Sequence, residues 1–300
     1  MRVSHHPDYI VRLPEGHPFP MGKYGYIREI LLGRGIISPA DIVTPEEMPV
    51  GELARVHTPA YLDKLASGTL SAAEQRRLGV SWSPALWRRS RLAAQGTLDA
   101  ARRAILDGVS ANLAGGTHHA FADRGEGFCV LNDVAVAIRV LQGQGAIERA
   151  LVVDLDVHQG NGTAAIFAAD ASVFTFSVHG ASNYPALKQR SSLDVALPDG
   201  TGDAEYLAAL SAHLPRILDA FRADLVFYVA GVDVVAGDRY GKLALSEEGV
   251  RARDRRVVGE VRGRALPLVI TLAGGYAPTP VRTAELHAIV FEEARPARVA

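Results

Sequence analysis

The feature that most restricts the fold of this chain is a series of short apolar runs that alternate with longer segments of helical periodicity. The runs are uncharged until their C-terminal ends, and most are rich in Val, Ile, Leu and Phe, which is typical of strands buried on both faces of a sheet. The predicted strands span residues 111–116, 150–155, 173–178, 225–230 and 267–273. Strands that alternate with helices in this way predict an α/β fold with a parallel sheet covered on both faces.

Apolar residues recur with helical spacing between these runs. The predicted helices span residues 132–142, 163–169, 203–222, 246–262 and 279–292, and helices also dominate from a Pro/Gly-rich opening to about residue 108. Ser246 followed by Glu247 and Glu248 is a typical helix start, a hydroxyl cap with acidic residues in the first turn. No linker composition interrupts the chain, so we expect a single domain over residues 1–300.

Charge and cysteine content exclude several classes of protein. Lys and Arg total 32 against 33 Asp and Glu, so the basic excess typical of a nucleic-acid binder is missing, and the arginine clusters at 88–91 and 251–264 are better explained as solvated helix faces. The single cysteine, Cys129, cannot form an internal disulfide. Neither a signal-peptide core nor an apolar stretch long enough to span a membrane is evident. We therefore expect a cytoplasmic protein that binds neither nucleic acid nor membrane, with its oligomeric state left open.

Polar residues follow every predicted strand. The carboxyl ends of parallel strands meet at one edge of a sheet, where ligands bind. A single His or Asp in such a place is more often structural, but five clusters at one edge favour a functional site. The residues are His118 and His119, then Asp154, Asp156, His158, Gln159 and Asn161, then His179, Asp233 and Tyr276.

The densest cluster is Asp154-Leu-Asp156-Val-His158. With a strand period of 2, its three polar side chains would share one face, where a cation is the natural counter-charge. Asp156, His158 and the distant Asp233 would form a three-ligand N/O site with an open position, the arrangement of a catalytic zinc. Asp154 would then orient a neighbouring group. The alternative is a buried, hydrogen-bonded pair of aspartates without a metal.

His118 and His119 follow a Gly-Gly pair and must be presented by a loop, since neighbouring strand residues face opposite ways. Beside a metal, two imidazoles suit proton transfer from a water and to a leaving group. Tyr276, after a second Gly-Gly pair, could donate a hydrogen bond to a developing oxyanion, although by itself it is more simply a packing residue.

Together these motifs resemble the zinc-dependent histone deacetylase superfamily, which includes acetoin-utilisation proteins and acetylpolyamine amidohydrolases, and above all its class IV branch and bacterial relatives. The resemblance runs from about residue 15 to residue 290 and implies the arginase/deacetylase fold, with a central eight-stranded parallel sheet flanked by helices. The matching segments are GGTHHAFADRGEGFCVLND (115–133), DLDVHQGNGT (154–163), FSVHG (176–180), NYP (183–185), GVDVVAGDRYGKLALSEEG (231–249) and LAGGY (272–276).

The resemblance also implies roles for single residues. The zinc ligands, which could hold Fe²⁺ in the cell, are Asp156, His158 and Asp233. The catalytic residues are His119 as general base and acid, His118 with its paired carboxylate Asp154, and Tyr276 as the phenol that polarises the acyl carbonyl. Asn161 stands where class I members carry an Asp beside the base histidine, and the HQGN wording is the class IV form.

A substrate tunnel and bound potassium are implied as well. The tunnel would grip the acyl-lysine stem through Gly127, Phe128 and Tyr184, with Tyr240 at its lip. One potassium site would use Asp154, Asp156, His158, Ser177 and Val178. A second would use Phe167, Asp170 and Val173. Trp82 falls where other members place a rim loop, and no role is assigned to it.

The expected function is removal of an acetyl or other acyl group from acyl-lysine or a related acylated amine. The enzymatic alternatives are an acetylpolyamine or small-metabolite deacetylase and a long-chain fatty-acyl-lysine deacylase. A dimanganese hydrolase of the arginase type would need carboxylates that bridge a second metal. A non-catalytic acyl-lysine binder would be expected to lack His119, Tyr276 or a ligand, and all are present.

Overall fold

The sheet found in this computed structural model, which describes residues 1–295, has eight strands, and each pair of neighbouring strands is parallel. The strands are β1 (Arg2–Ser4), β2 (Ile42–Val43), β3 (Val109–Asn112), β4 (Ala150–Asp154), β5 (Val173–Gly180), β6 (Leu193–Leu197), β7 (Leu225–Val229) and β8 (Leu268–Thr271). Their order across the sheet is β2-β1-β3-β8-β7-β4-β5-β6. The predicted α/β fold with an eight-stranded parallel sheet flanked by helices is confirmed. Residues 296–300 of the expected single domain lie outside the described residues.

The helices form two packed series. In one series α1, α10, α9 and α8 contact each other in that order, and in the other α5 packs on α6. The helices are α1 (Lys23–Gly33), α2 (Val50–Leu53), α3 (Pro59–Ser67), α4 (Ala72–Leu78), α5 (Pro84–Asp107), α6 (Asp133–Gly143), α7 (Asn161–Phe167), α8 (Asp203–Phe221), α9 (Glu247–Arg262) and α10 (Pro280–Ala294). Ser246 caps α9 as its sequence predicts, with Oγ accepting a hydrogen bond from the Gly249 N–H at 3.0 Å. Along residues 1–295 no helix combines the length and the apolar character needed to cross a membrane.

Some strand boundaries differ from the predicted ones. β3 ends at Asn112 rather than residue 116, because Gly115 and Gly116 adopt left-handed φ values of 77° and 74°. β8 ends at Thr271, and Ala273 beyond it has a φ of 56°. Strands β1, β2 and β6 are not among the predicted ones. The first two have three and two residues, and β6 is an edge strand that is only half-buried along most of its length.

The strand order explains why the polar clusters meet. β3, β8, β7 and β4 are consecutive neighbours in the sheet, and these strands precede His118, Tyr276, Asp233 and Asp156 in the chain. Because the strands are parallel, the loops after them emerge at one edge of the sheet.

Arg253 of α9 forms hydrogen bonds with two of these loops. Its side chain is fully buried, so the expectation that the arginines of 251–264 form a solvated face is wrong for this residue. It donates hydrogen bonds to the carbonyl oxygens of Leu155 at 3.2 Å and Gly231 at 2.6 Å. Its charge is balanced by Asp254, whose Oδ1 lies 3.0 Å from Arg253 Nε and also accepts the hydroxyl of Tyr228. One guanidinium therefore holds the chain just beyond β4 in register with the chain just beyond β7.

We expect Arg253→Met to lower the free energy of unfolding by about 3–5 kcal/mol, because it leaves the Asp254 carboxylate buried without its cation. Denaturant unfolding measures this. Arg256→Met is the matched control on the same helix, since Arg256 is exposed and pairs with Glu260 at 3.2 Å, and it should cost less than about 1 kcal/mol. The double variant Arg253→Met/Asp254→Leu should recover part of the loss. Equal effects of the two single variants would contradict this account.

Candidate metal centre and catalytic cavity

The loop after β4 is shaped by its own aspartates. Asp154 Oδ1 accepts the Asp156 N–H at 3.2 Å, and Asp156 Oδ1 accepts the His158 N–H at 2.9 Å. The expectation that Asp154, Asp156 and His158 share one face of a strand is therefore wrong: the strand ends at Asp154. Successive side-chain-to-backbone hydrogen bonds turn the chain, and these bonds bring Asp156 and His158 together.

Asp156, His158 and Asp233 form a buried group whose ligand atoms lie within 4.8 Å of one another. His158 Nδ1 is 3.0 Å from Asp156 Oδ1 and 3.2 Å from Asp233 Oδ2. Backbone N–H groups orient both carboxylates: Gly274 donates to Asp156 Oδ2 at 2.7 Å and Val157 to Asp233 Oδ1 at 2.9 Å. Asp233 Oδ2 is buried and accepts no hydrogen bond from the described residues, despite its nearness to His158 Nδ1.

The electrostatics of this group favour a cation. Burial and the neighbouring Asp156 raise the pKa of Asp233. Burial by itself would lower the pKa of His158, but its contacts with Asp156 and Asp233 outweigh it and raise the pKa to about 10. Two carboxylates and an imidazole nitrogen that converge on one point fit a divalent metal. Because the metal must displace the proton that His158 otherwise holds, we expect its affinity to fall as the pH falls.

Close approach of the backbone makes glycine necessary beside this group. A Cβ on Gly274 would lie 2.0 Å from Asp233 Oδ2 and 2.5 Å from Asp156 Oδ2. Any larger residue would displace the carboxylates or withdraw the N–H that Asp156 accepts. The Gly-Gly pair before Tyr276 thus serves the metal group directly.

The two adjacent histidines have different partners. His118 Nδ1 donates to Asp154 Oδ2 at 2.7 Å, whereas His119 Nδ1 lies 2.7 Å from the side-chain oxygen of Asn161. Their rings are 4.2 Å apart between centroids. One imidazole thus faces a carboxylate and the other a neutral amide.

This difference separates their proton affinities. Burial by itself would lower the pKa of His118, but Asp154 and Asp156 outweigh it and raise the pKa to about 9. Burial, reinforced by His118 and His158, holds the pKa of His119 well below its usual range. At neutral pH His119 is therefore uncharged and able to accept a proton, which a general base requires.

Glu126 completes the surroundings of His119, although it was not among the predicted site residues. Its Oε1 accepts hydrogen bonds from Asn161 Nδ2 at 2.9 Å and from the Tyr184 hydroxyl at 2.5 Å. The signal available in the sequence is its position immediately before Gly127 and Phe128. An acid in that place does not reveal which loop it will reach.

A tight turn presents Glu126, Gly127 and Phe128 to the site. The backbones of Glu126 and Cys129 exchange hydrogen bonds at 3.1 and 2.9 Å. Gly127 and Phe128 between them have φ values of 55° and 67°, the signs of a type I′ turn. A Cβ on Gly127 would lie 2.7 Å from Cδ2 of His119. Left-handed backbone at a phenylalanine costs on the order of 1–3 kcal/mol, so the surrounding contacts hold Phe128 in this position against strain.

The site lies at the bottom of an open cavity of about 260 Å³. Tyr276 packs edge-on against Tyr240, with 4.9 Å between ring centroids. Burial and the nearby Asp233 and Asp156 hold the pKa of Tyr276 well above its usual range, so its hydroxyl keeps its proton. The lining residues are His119, His158 and Tyr276 together with Arg77, Gly79, Gly127, Phe128, Tyr184 and Tyr240.

Of the residues named for potassium, Asp156 and His158 belong to the Asp-His-Asp group, and the others lie in two further places. Asp154 pairs in register with Ser177 of β5, and the two line a small buried cavity with Thr163, Thr175 and Ser191. Val178 follows Ser177 in the same strand.

The second group lies at the end of α7. Phe167 is the last residue of that helix and Val173 the first of β5. The Asp170 carboxylate between them is engaged by Arg139 at 2.6 Å and by the Ser172 hydroxyl at 2.6 Å.

Trp82 is part of the packing around α3 and α4. Its indole N–H donates to the carbonyl oxygen of Leu65 at 2.9 Å, and its backbone N–H donates to the side chain of Gln75. The ring lies against Gly68.

Comparison with known proteins establishes the family to which the chain belongs. The histone deacetylase domain family matches residues 17–290, and the chain belongs to that family. It is 44% identical to an uncharacterized protein of Picosynechococcus sp., over 98% of both chains. It is 32% identical to histone deacetylase 2 of Arabidopsis thaliana, over 89% of this chain and 71% of the relative.

Two further comparisons bear on activity and fold. A probable deacetylase of Methanothermobacter thermautotrophicus is 30% identical over 93% of this chain and 86% of its own length. The crystal structure of the HDA15 HD domain superposes with a TM-score of 0.80 at 25% identity, over 98% of this chain and 90% of that one.

We expect the purified protein to carry one divalent metal ion per chain, and Asp156→Ala and His158→Ala to lose it, because each removes one of three ligands. Elemental analysis after dialysis measures the metal content. Asp219→Ala, which removes an exposed carboxylate that pairs with Arg264 at 2.8 Å, is the matched control and should keep the metal. Full occupancy in either ligand variant would contradict the assignment.

Proposed function

We propose that this protein is a zinc-dependent amidohydrolase that removes an acetyl or other acyl group from acyl-lysine or a related acylated amine. The observation that carries the proposal is that Asp156, His158, the uncharged His119 and the protonated Tyr276 line one cavity. Asp233 completes the buried Asp-His-Asp group 3.2 Å from His158. Membership of the histone deacetylase family supports the same reaction class.

The residues fit the proposed metal. Asp156, His158 and Asp233 offer one nitrogen and two carboxylate oxygens, a set suited to Zn²⁺, with Fe²⁺ as the alternative in the cell. These three residues would hold the cation, which when bound would polarise the acyl carbonyl and lower the pKa of a water.

His119 moves the protons of the reaction. As the uncharged base it takes a proton from the attacking water and then delivers that proton to the departing amine. His118, held by Asp154 at 2.7 Å, contributes positive charge beside the reacting centre rather than a transferred proton.

Tyr276 supports the developing negative charge. Its raised pKa keeps the hydroxyl protonated, so it can donate a hydrogen bond to the acyl oxygen as that oxygen becomes an oxyanion. Asp238 accepts the Tyr276 N–H at 2.6 Å and thereby anchors the backbone that carries the phenol.

The cavity walls suit a slender aliphatic stem. Phe128, Tyr184, Tyr240 and Gly127 line it, and an apolar, mostly aromatic lining suits the methylene chain of an acylated lysine. The motif HQGN at residues 158–161 supports a place in the class IV branch.

We also propose a structural potassium ion at Asp154, Asp156, His158, Ser177 and Val178. A second potassium ion is proposed at Phe167, Asp170 and Val173.

Removal of the Tyr276 hydroxyl separates chemistry from metal binding. Tyr276→Phe should lower kcat by about 10²–10³ while metal content stays unchanged, because one oxyanion donor is lost. His119→Ala should cost at least as much, since proton transfer fails in both directions. Steady-state kinetics with parallel metal analysis measure both effects. Wild-type kcat in Tyr276→Phe would show that the phenol is structural.

The pH dependence tests the partner of His119. In the wild type a neutral amide touches His119 Nδ1 and the Glu126 carboxylate lies one hydrogen bond further away. Asn161→Asp/Glu126→Gln keeps the net charge but puts the carboxylate against His119, which raises the pKa of His119. Activity that needs uncharged His119 is then lost at a higher pH on acidification.

The acidic limb of the kcat/KM profile should therefore move to higher pH in the double variant, with metal occupancy verified at each pH. An unmoved limb, or one at lower pH, would mean that another group controls it.

The function itself is tested by a substrate panel. Purified, zinc-loaded protein is assayed with acetyl-lysine peptides, acetylpolyamines and long-chain acyl-lysine peptides, with His119→Ala as the inactive control. We expect amine release from acetyl-lysine peptides. Turnover of only polyamines or long-chain substrates would select one of the alternative deacylases, and no turnover of any amide by folded, metal-loaded protein would refute the proposal.

A further inference from the structure

The amide of Asn161 lies between an imidazole and a carboxylate. Its side-chain oxygen is 2.7 Å from His119 Nδ1, and its Nδ2 is 2.9 Å from Glu126 Oε1. Asn161 is 2% exposed, so bulk water cannot readily replace either partner. The orientation of this amide therefore decides what His119 can do.

The chemistry of the two partners allows one orientation. An amide offers an acceptor oxygen on one side and a donor NH₂ on the other, whereas a carboxylate oxygen can only accept. The NH₂ must then face Glu126. A flipped amide would set its oxygen against the Glu126 oxygen at about the same 2.9 Å separation and lose that hydrogen bond.

The orientation of the amide fixes the tautomer of the histidine. With the Asn161 oxygen facing it, His119 Nδ1 must carry the proton, and Nε2 keeps its lone pair. His119 lines the cavity, and its Nε2 has no hydrogen-bond partner among residues 1–295. The lone pair is thus free for an incoming proton.

We propose that Glu126 is a positioning residue which, through Asn161, holds His119 in the Nδ1–H tautomer with Nε2 free to take a proton. The inference rests on the proposed function, because the Nδ1–H tautomer is the form in which His119 can act as the base of that reaction. Glu126 itself touches neither His119 nor the metal ligands by any hydrogen bond of the structure.

Glu126 is well held for this purpose. The turn through Gly127 and Phe128 fixes its backbone, and its side chain is 14% exposed. The Tyr184 hydroxyl donates to the same Oε1 that Asn161 uses, and Arg124 Nε lies 3.6 Å from the other oxygen. Tyr184 also packs edge-on against the His119 ring at 5.0 Å. Glu126 therefore connects Tyr184, which lines the cavity, with Asn161 and through it with His119.

Three substitutions at position 126 present Asn161 with a hydrogen-bond acceptor, with no partner or with a hydrogen-bond donor. E126Q keeps an oxygen that can accept from both Asn161 and Tyr184, and E126A removes the acceptor. E126K replaces the acceptor by a donor, which would pull the Asn161 oxygen towards itself and turn the NH₂ to His119. Asp123→Ala removes an exposed carboxylate from the same loop, one that pairs with Arg124 at 2.9 Å, and is the matched control.

The direct readout is the ¹⁵N NMR spectrum of histidine-labelled protein with its metal content measured, in which the His119 signals are assigned by their loss in His119→Ala. We expect the Nδ1–H form in the wild type, E126Q and Asp123→Ala. We expect a mixture in E126A and the Nε2–H form in E126K. A wild type in the Nε2–H form, or an E126K variant that keeps Nδ1–H, would overturn the proposal.

Kinetics supply the second readout. E126A should lose about 10–100-fold in kcat/KM and E126K about 10²-fold or more, with metal content unchanged. E126Q should stay close to the wild type, and equal losses in E126Q and E126A would show that charge rather than orientation matters, against the proposal. If the zinc-loaded wild type hydrolyses no acyl amine, the proposed function fails, while the spectrum still decides the tautomer by itself.

Discussion

Two carboxylates that meet beside one imidazole in a buried pocket are the constraint on which the rest of this structure depends. Asp156 and Asp233 approach His158 Nδ1 to 3.0 and 3.2 Å, and such crowding of buried negative charge favours a bound cation. The surrounding chain is arranged to hold the group in place. Gly274 brings a backbone donor within 2.7 Å, and Arg253 fixes the loops that carry both aspartates. The metal group thus depends on helix α9 as much as on the strands.

The sheet could be predicted where strands are long and buried. β4, β5 and β7 are apolar runs bounded by polar residues, and the pattern of apolar residues along the sequence is enough to locate them. β1 and β2 could not be predicted, because strands of three and two residues are too short to show a periodicity. Their place in the sheet depends on pairing of β1 with both β2 and β3. The predicted end of β3 was too late, because the left-handed glycines at 115 and 116 end the strand early.

The candidate site was predictable in its residues but less so in its geometry. Asp156, His158 and Asp233 stand out because each follows a strand, yet their convergence depends on hydrogen bonds within the loop rather than on strand alternation. Glu126 was not predicted because it meets Asn161 across 35 residues of chain. Its direction depends on a turn with positive φ at Phe128, and no local preference of phenylalanine predicts that conformation.

The central claim is that Asp156, His158 and Asp233 hold one catalytic metal ion beneath His119 and Tyr276. Anomalous X-ray diffraction from crystals of the protein, collected on both sides of the zinc absorption edge, tests it most directly. The account predicts a single strong peak bonded to His158 Nδ1 and to one oxygen of each aspartate, at about 2.0–2.2 Å. A metal ion held by other side chains, or no peak at this group in fully zinc-loaded protein, would contradict the account.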